Sequence, residues 1–261
     1  MVSYKIDKDK KMTSKVQIID LFDRNVRGQR PDTTAYNQAH DGRSGHWLER
    51  QMGVKANNSN SPDLLGFEMK NDTTTKTSFG DWSASYYIFH KTSKFKITRK
   101  DFLRIFGKPN LEKNGRHSWS GEPCPNIHRI NSFGQQLVVD ELNNIHAKYY
   151  YSKDLRNLKS TIVPKEMQID GLTIAKWDAV KMKKKVEDKF NKMGWFKCKK
   201  DSSGVYSEIV FGAPITFEIW LALVKSGDIF FDSGMYDGNS RNYSHWRALN
   251  SFWDKLIVSQ H

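Results

Sequence analysis

Asp63, Glu68 and Lys70 are the residues of this chain whose types and spacing carry the most chemistry. They fall in one short run: Pro62-Asp63, a turn through Gly66, then Glu68-Met69-Lys70. If Phe67 to Lys70 is a β-strand, alternate side chains share a face. Glu68 and Lys70 then point one way, while Phe67 and Met69 point into a core. Two carboxylates and an amine meeting at one point suit metal-dependent hydrolysis of a phosphodiester. A divalent cation held by Asp63 and Glu68 would neutralise charge building on the phosphate oxygens and lower the pKa of the attacking water. Mg²⁺ prefers such hard oxygen ligands and keeps several waters when one or two carboxylates hold it. Lys70, a compact cation, would position the water and stabilise the developing charge. Without metal the carboxylates repel, and one tends to hold a proton. The competing reading of the triplet alone is a surface strand with a Glu/Lys pair, because such spacings recur by chance in Lys-rich chains.

The flanking elements must position this set. Upstream, Gly42 or Ser44 opens a helix that carries Trp47, Leu48 and Glu49 and breaks at Gly53. Downstream, Thr73 to Gly80, with Lys76, reads as a polar hairpin that could reach a DNA backbone, or equally as a solvated loop. The aromatic, β-compatible run Trp82 to Phe89 is expected as the strand beside the active-site strand.

With these residues in view, the chain resembles a known family. Gly42-Arg-Ser-Gly45, Leu48-Glu49, Gly53-Val54, Asn57, Pro62-Asp63, Gly66 and Glu68-Met-Lys70 look like the active-site region of the MvaI/BcnI type II restriction enzymes, PD-(D/E)xK endonucleases related to MutH. The resemblance implies that Glu49 joins Asp63, Glu68 and Lys70 as a catalytic residue. Met69, where Leu or Ile is expected, is a mild departure. The resemblance further implies restriction at a short CC/GG-flanked site with a variable central pair, by a monomer. A cognate DNA methyltransferase would act on the same site without needing direct contact.

Charge agrees with a nucleic-acid partner. Lys and Arg total 42 against 29 Asp and Glu, a net charge of +13 in 261 residues. Neutralising phosphates releases counterions and supplies sequence-independent affinity. A basic composition alone also suits proteins with no such role. No long apolar run marks a membrane span or a secretory signal, so a cytoplasmic protein is expected. Cys124 and Cys198 lie far apart and outside any metal-binding spacing, which reads as two reduced thiols. His117 and His128 also lack the spacing of a zinc pair.

Along the rest of the chain, Met1 to Met12 is a frayed lead. Ser14 to Arg27 has helical spacing and stops at Gly28 and Pro31. Asp32 to Asp41 is a polar loop. His90 to Arg104, with Lys91, Lys94, Lys96, Arg99, Lys100 and Arg104, is a basic tract suited to phosphates. Lys108 to Pro125 reads as a loop holding Arg116, His117 and Trp119, a set that could face bases or phosphates, with an ordinary connector as the competing reading. Gln135 to Val139 and Ala147 to Tyr151 read as strands. Ile174 to Met193 reads as a helix, with Trp177, Val180, Val186, Phe190 and Met193 on one stripe and Lys181, Lys183, Lys184 and Lys185 opposite. Trp195 to Lys200 and Val205 to Phe211 form a hairpin at Ser203-Gly204. Thr216 caps a helix that buries Ile219, Trp220, Leu223 and Val224. Ile229 to Phe231 is a short strand, and Trp246 to Val258 a final helix. Between them Ser233 to Arg247 reads as a Gly-rich loop, and Arg241, Asn242, Tyr243, His245 and Arg247 are its candidates for contacting DNA.

Together these readings predict an α/β protein with the PD-(D/E)xK nuclease fold, a mixed central β-sheet flanked by helices. A catalytic lobe over 1–160 and a C-terminal part over 161–261 would form two lobes around a DNA cleft, or one continuous domain. The expected activity is Mg²⁺-dependent, sequence-specific hydrolysis of double-stranded DNA. The alternatives are a MutH-like mismatch-repair nicking enzyme and a non-catalytic basic DNA-binding protein. Incubating plasmid with the protein and Mg²⁺ separates all three.

Overall fold

The computed structural model describes residues 13–36, 42–54 and 60–261. The lead over residues 1–12, part of the polar loop (37–41) and Asn57 lie outside the described residues.

In chain order the elements begin with α1 (Ser14–Asn25), α2 (Arg43–Gln51), β1 (Glu68–Asn71), β2 (Lys76–Asp81), β3 (Tyr86–Tyr87) and α3 (Arg99–Phe106). There follow β4 (Lys108–Asn110), β5 (Arg116–Trp119), β6 (Phe133–Val139), β7 (Ile145–Asp154), α4 (Lys159–Ile162) and β8 (Asp170–Trp177). Next come α5 (Ala179–Phe190), β9 (Trp195–Lys200), β10 (Tyr206–Gly212) and α6 (Phe217–Lys225). The last are β11 (Phe230–Ser233), β12 (Met235–Tyr236), β13 (Ser244–Leu249), α7 (Asn250–Lys255) and β14 (Ile257–Gln260).

The chain divides into two compact units, each assembled from separate segments. The first contains Met1–Asp72, Asp188–Pro214 and Leu256–His261, and the second Thr73–Glu187 and Ile215–Lys255. A cut at residue 160 follows neither unit, because the strands that complete the first sheet return late in the chain.

The first unit holds the mixed sheet, in the order β1-β9-β10-β14. β1 runs parallel to β9, and the other pairs are antiparallel. Strand alternation divides its residues as the sequence requires. Met69, Phe196, Cys198, Ile209 and Phe211 join Ile18, Phe22 and Val26 of the α1 region and Trp47, Leu48 and Met52 of the α2 region in one core. Each fully buried side chain of that size contributes roughly 1.5–3 kcal/mol by leaving water. Trp47 stacks on Tyr206 with ring centroids 5.7 Å apart, and Thr13 caps α1 by accepting from the Val16 amide. Glu68 and Lys70 are left to the opposite face.

The second unit carries three antiparallel sheets, β11-β13-β2, β12-β5-β4 and β3-β8-β7-β6. Its core is aromatic: Trp177 packs on Phe231 and Trp246, and Trp220 on Trp82 and Trp246. The Trp177 indole donates to the Trp82 carbonyl at 2.8 Å.

Several expectations need correction. The Trp82–Phe89 run is not the neighbour of the active-site strand. Within it Tyr86–Tyr87 pairs with β8 in the second unit, whereas β9 flanks β1. Ile174 to Met193 is not one helix. Ile174 and Trp177 belong to β8 and are fully buried, and Val180 is exposed at the start of α5. Lys108 to Pro125 contains β4 and β5. In α6, Thr216 caps as expected, but Ile219 is exposed and Leu221 buried. Trp246 to Val258 is interrupted: Trp246 lies in β13, helix covers Asn250–Lys255, and β14 follows. The supposed loop over 233–247 contains β12 and the start of β13, so the irregular part is residues 237–243.

Candidate active site

A tight turn places Asp63 beside β1. Leu64 and Phe67 exchange backbone hydrogen bonds of 3.0 and 2.8 Å, and Leu65 and Gly66 between them have φ of 49° and 86°. Two successive positive φ angles match the twist of a two-residue hairpin, and glycine adopts the second without steric cost. The chain folds back here, and the Asp63 carboxylate accepts the Met69 amide at 3.0 Å. On the other side of β1, the Glu68 amide donates to the Gly194 carbonyl at 3.0 Å. This fixes the register that sets Glu68 opposite Trp195 and Lys70 opposite Lys197.

Glu68 and Lys70 are buried, at 2% and 8% exposure. Lys70 Nζ lies 2.8 Å from Glu68 Oε1 and 5.2 Å from the centre of the Phe190 ring. A second amine reaches the same oxygen, with Lys189 Nζ 3.0 Å from Glu68 Oε1. Glu68 Oε2 is buried and has no hydrogen-bond partner among the described residues. Burial, reinforced by the neighbouring Glu68 charge, pushes the Asp63 carboxyl up to about 6, against the pull of Lys189 and Lys70. Burial likewise lowers the Lys70 amine, against the Glu68 charge that favours its protonated form.

The structure therefore brings Asp63, Glu68 and Lys70 together. Glu49, on α2, pairs with His46 Nδ1 at 3.3 Å on its own helix. Among the described residues no group of three or more His, Cys, Asp or Glu side chains is placed to hold a metal. Two carboxylates with one orphaned buried oxygen nevertheless fit a hard divalent cation that takes its remaining ligands from water and substrate. Lys189 was missed from sequence. It lies seven residues after Met182 and three after Val186, on the buried stripe of α5, and a lysine at such a position is the signal that would have found it.

The DNA-binding candidates all fall in the second unit. Lys76 Nζ pairs with Asp232 at 2.6 Å, and Arg247 reaches the same carboxylate at 3.2 Å. His245 stands in register between Asp232 on β11 and Asp81 on β2. Burial lowers its pKa, partly offset by the Asp81 charge. Tyr243 stacks on the His245 ring. Arg241 is exposed, pairs with Asp81 at 2.7 Å and lies over Tyr243. The Arg116 guanidinium lies 3.7 Å from the centre of the Tyr236 ring, and the His117 carbonyl accepts the Asp237 amide. Lys94 is exposed beside Phe95, and Trp119, buried at 0% exposure, donates inward to Gln135.

Arg99, expected from sequence as part of a basic tract following phosphates, has its guanidinium engaged within the protein. Its guanidinium donates to Asn242 Oδ1 (2.8 Å), the Tyr236 carbonyl (3.2 Å), Asn239 Oδ1 (2.7 Å) and the Arg241 carbonyl (3.1 Å). It holds the 236–242 segment at four points. The Asn242 side chain is thereby engaged within the protein, and of the neighbouring candidates Arg241 is exposed while Tyr243 and His245 are half-buried.

Both cysteines are free thiols. Burial pushes Cys124 up to about 12 and raises Cys198 as well, so neither is a reactive thiolate. Among the described residues no helix is long and apolar enough to cross a membrane.

Comparison with known proteins identifies the family and the fold. The chain is 48% identical to the type II restriction enzyme ScrFI of Lactococcus lactis subsp. cremoris, over 95% of this chain and 98% of that protein. A solved complex of the restriction endonuclease MvaI with cognate DNA superposes with a TM-score of 0.58 at 13% identity, covering 95% of both chains. MvaI without DNA gives a TM-score of 0.45 at 12% identity, covering 97% of this chain and 98% of that one. The first of these likenesses in structure shows a shared fold. The family profile for the LlaMI restriction endonuclease matches residues 26–261. With that profile spanning nearly the whole chain, the protein belongs to the LlaMI restriction endonuclease family and is a type II restriction endonuclease.

Proposed function

We propose that this restriction endonuclease cuts double-stranded DNA with Mg²⁺ held by Asp63 and Glu68, and with Lys70 acting on the attacking water. The observation that carries this reading is the buried Glu68, with one oxygen 2.8 Å from Lys70 Nζ and the other without a hydrogen-bond partner among the described residues. When bound, the cation supplies charge for the phosphate oxygens and a more acidic water. Asp63 is held to β1 by the Met69 amide, so its carboxylate is oriented before substrate arrives. Lys70, oriented by Glu68 and the Phe190 ring, presents a proton donor towards the water and the developing charge. Burial eases release of that proton, so Lys70 hands it on more readily than an ordinary lysine would. Glu49 would assist at the metal or in orienting Lys70, a role that rests on the family resemblance.

Recognition is assigned to the second unit. Arg241, Tyr243 and His245 would read bases. Asn242 would act through its contact with Arg99, and Lys76, Lys94, Arg116, His117 and Arg247 would hold phosphates. The resemblance supports a short CC/GG-flanked site, a monomer, a cytoplasmic location, and a cognate methyltransferase that acts on the same site.

Digesting a sequenced plasmid with Mg²⁺ and mapping the fragment ends tests the reading. Double-strand breaks at one short sequence are expected. Nicks on one strand would point to a MutH-like enzyme, and intact plasmid would overturn the assignment.

A further inference from the structure

The charge arrangement around Glu68 asks for more than a catalytic triplet. Asp63 and Glu68 bring two negative charges, and Lys70 and Lys189 bring two positive ones. A divalent cation entering this set would leave two surplus positive charges in a partly buried site, where repulsion is poorly screened. One ammonium has to give way. Lys70 sits within β1 with its side chain 9% exposed, against the Phe190 ring. Lys189 is in the last turn of α5, and its side chain is 17% exposed. A lysine there has four rotatable carbons and a route to solvent, and the negative end of the helix dipole keeps a cation welcome nearby.

We propose that Lys189 is the resident counter-ion of the acid pair. It neutralises Glu68 in the metal-free protein, leaves Glu68 Oε1 when a divalent cation binds, and is then free to meet a phosphate oxygen of the DNA. The metal and the amine compete for one carboxylate, so metal affinity is low until DNA offers Lys189 another anion. Lys189 is a positioning residue on this account. The proposal rests on Asp63 and Glu68 being the metal ligands, and its test separates the two ideas.

Ca²⁺ is titrated calorimetrically, without DNA, into the wild type, Lys189→Gln, Lys189→Met, Glu68→Gln and, as a control on the exposed face of α5, Lys181→Gln. Removing one opposing unit charge at this range is expected to tighten Ca²⁺ binding about tenfold or more in both Lys189 variants. The same variants should melt at lower temperature than the wild type when metal-free, and Lys181→Gln should match the wild type in both respects. Ca²⁺ affinity unchanged in the Lys189 variants, with binding abolished in Glu68→Gln, would overturn the counter-ion role alone. Ca²⁺ binding unaffected by Glu68→Gln would overturn the ligand assignment and the counter-ion role with it. If neither Lys189 variant folds, the wild type decides. Its lysines are labelled with ¹³C-methyl groups, and the Lys189 resonance, assigned from Lys189→Arg, should shift as Ca²⁺ is added. A resonance that stays fixed while Ca²⁺ binds would refute the displacement.

Discussion

Replacing Asp63 with Asn is expected to stabilise the metal-free protein while destroying its activity. The carboxyl is raised from 3.8 to about 6 by burial and by the Glu68 charge. Holding it ionised above that range costs the fold about 3 kcal/mol if the whole displacement is counted. Asp63 is partly solvent-exposed, so a gain of about 1–2 kcal/mol is the realistic figure for Asp63→Asn at pH 8. The amide oxygen of Asn still accepts from the Met69 amide, so the turn is kept. The sign sets the pH window. Below 3.8 the carboxyl is protonated in folded and unfolded chains alike, and Asp63 costs nothing. Between 3.8 and about 6 the unfolded chain releases a proton that the folded one retains, so raising the pH erodes wild-type stability. Above about 6 the penalty is complete and constant. Urea unfolding of both proteins in EDTA, from pH 4 to 8, measures this directly. The Asn variant's advantage should grow across that window and then level off. Added Ca²⁺ should stabilise the wild type and leave the variant unmoved, because ligand binding to the folded state alone raises stability. An advantage independent of pH, or none at pH 8, would refute the reasoning that the site is held under electrostatic strain.

The other expectations follow from particular contacts. Arg99→Ala removes four hydrogen bonds to the 236–242 segment; a loss of about 2–4 kcal/mol in unfolding is expected, together with faster amide exchange over that segment. Arg241→Ala and His245→Ala should narrow the difference in cleavage rate between the preferred site and one-base variants, read by end-sequencing of digests. Unaltered discrimination would remove this segment from base reading. Gly194→Ala should unfold or severely weaken the first unit, seen by circular dichroism and melting. Gly194 has φ of 96°, and a Cβ there would stand 2.2 Å from the Gly212 carbonyl oxygen, next to the carbonyl that holds the Glu68 amide.

Much of the candidate site was legible because its information is local. The alternation of Glu68, Met69 and Lys70 and the Leu65-Gly66 turn act within a few residues, so the sequence specifies their faces without knowledge of the rest. Its neighbour strand was not legible. Trp82 to Phe89 has high β propensity and stands close in sequence, yet β9 arrives after more than a hundred residues to pair with β1, and pairing partners are set by tertiary packing. Trp177 was assigned to a helix because Ile174 to Met193 is apolar at helical spacing. Burial of Trp177 in the aromatic core of the second unit, with its indole on the Trp82 carbonyl, decides for a strand. The polar, Gly-rich composition of 233–247 hid an alternating strand, in which Ser244, Trp246 and Ala248 are buried and His245 and Arg247 face the other way. Lys189 was lost among the lysines of α5, because a charge run reads as a solvated face unless one member falls on the apolar stripe.

The central claim is that Asp63, Glu68 and Lys70 perform the cleavage while affinity for DNA resides in the basic residues of the other unit. The most direct test measures Lys70→Ala twice on one duplex carrying the mapped site: single-turnover cleavage in Mg²⁺, and binding by gel shift in Ca²⁺. Cleavage should fall by at least about a thousandfold with the dissociation constant within a few-fold of the wild type. Cleavage within tenfold of the wild type, or equal loss of binding and cleavage, would contradict the account.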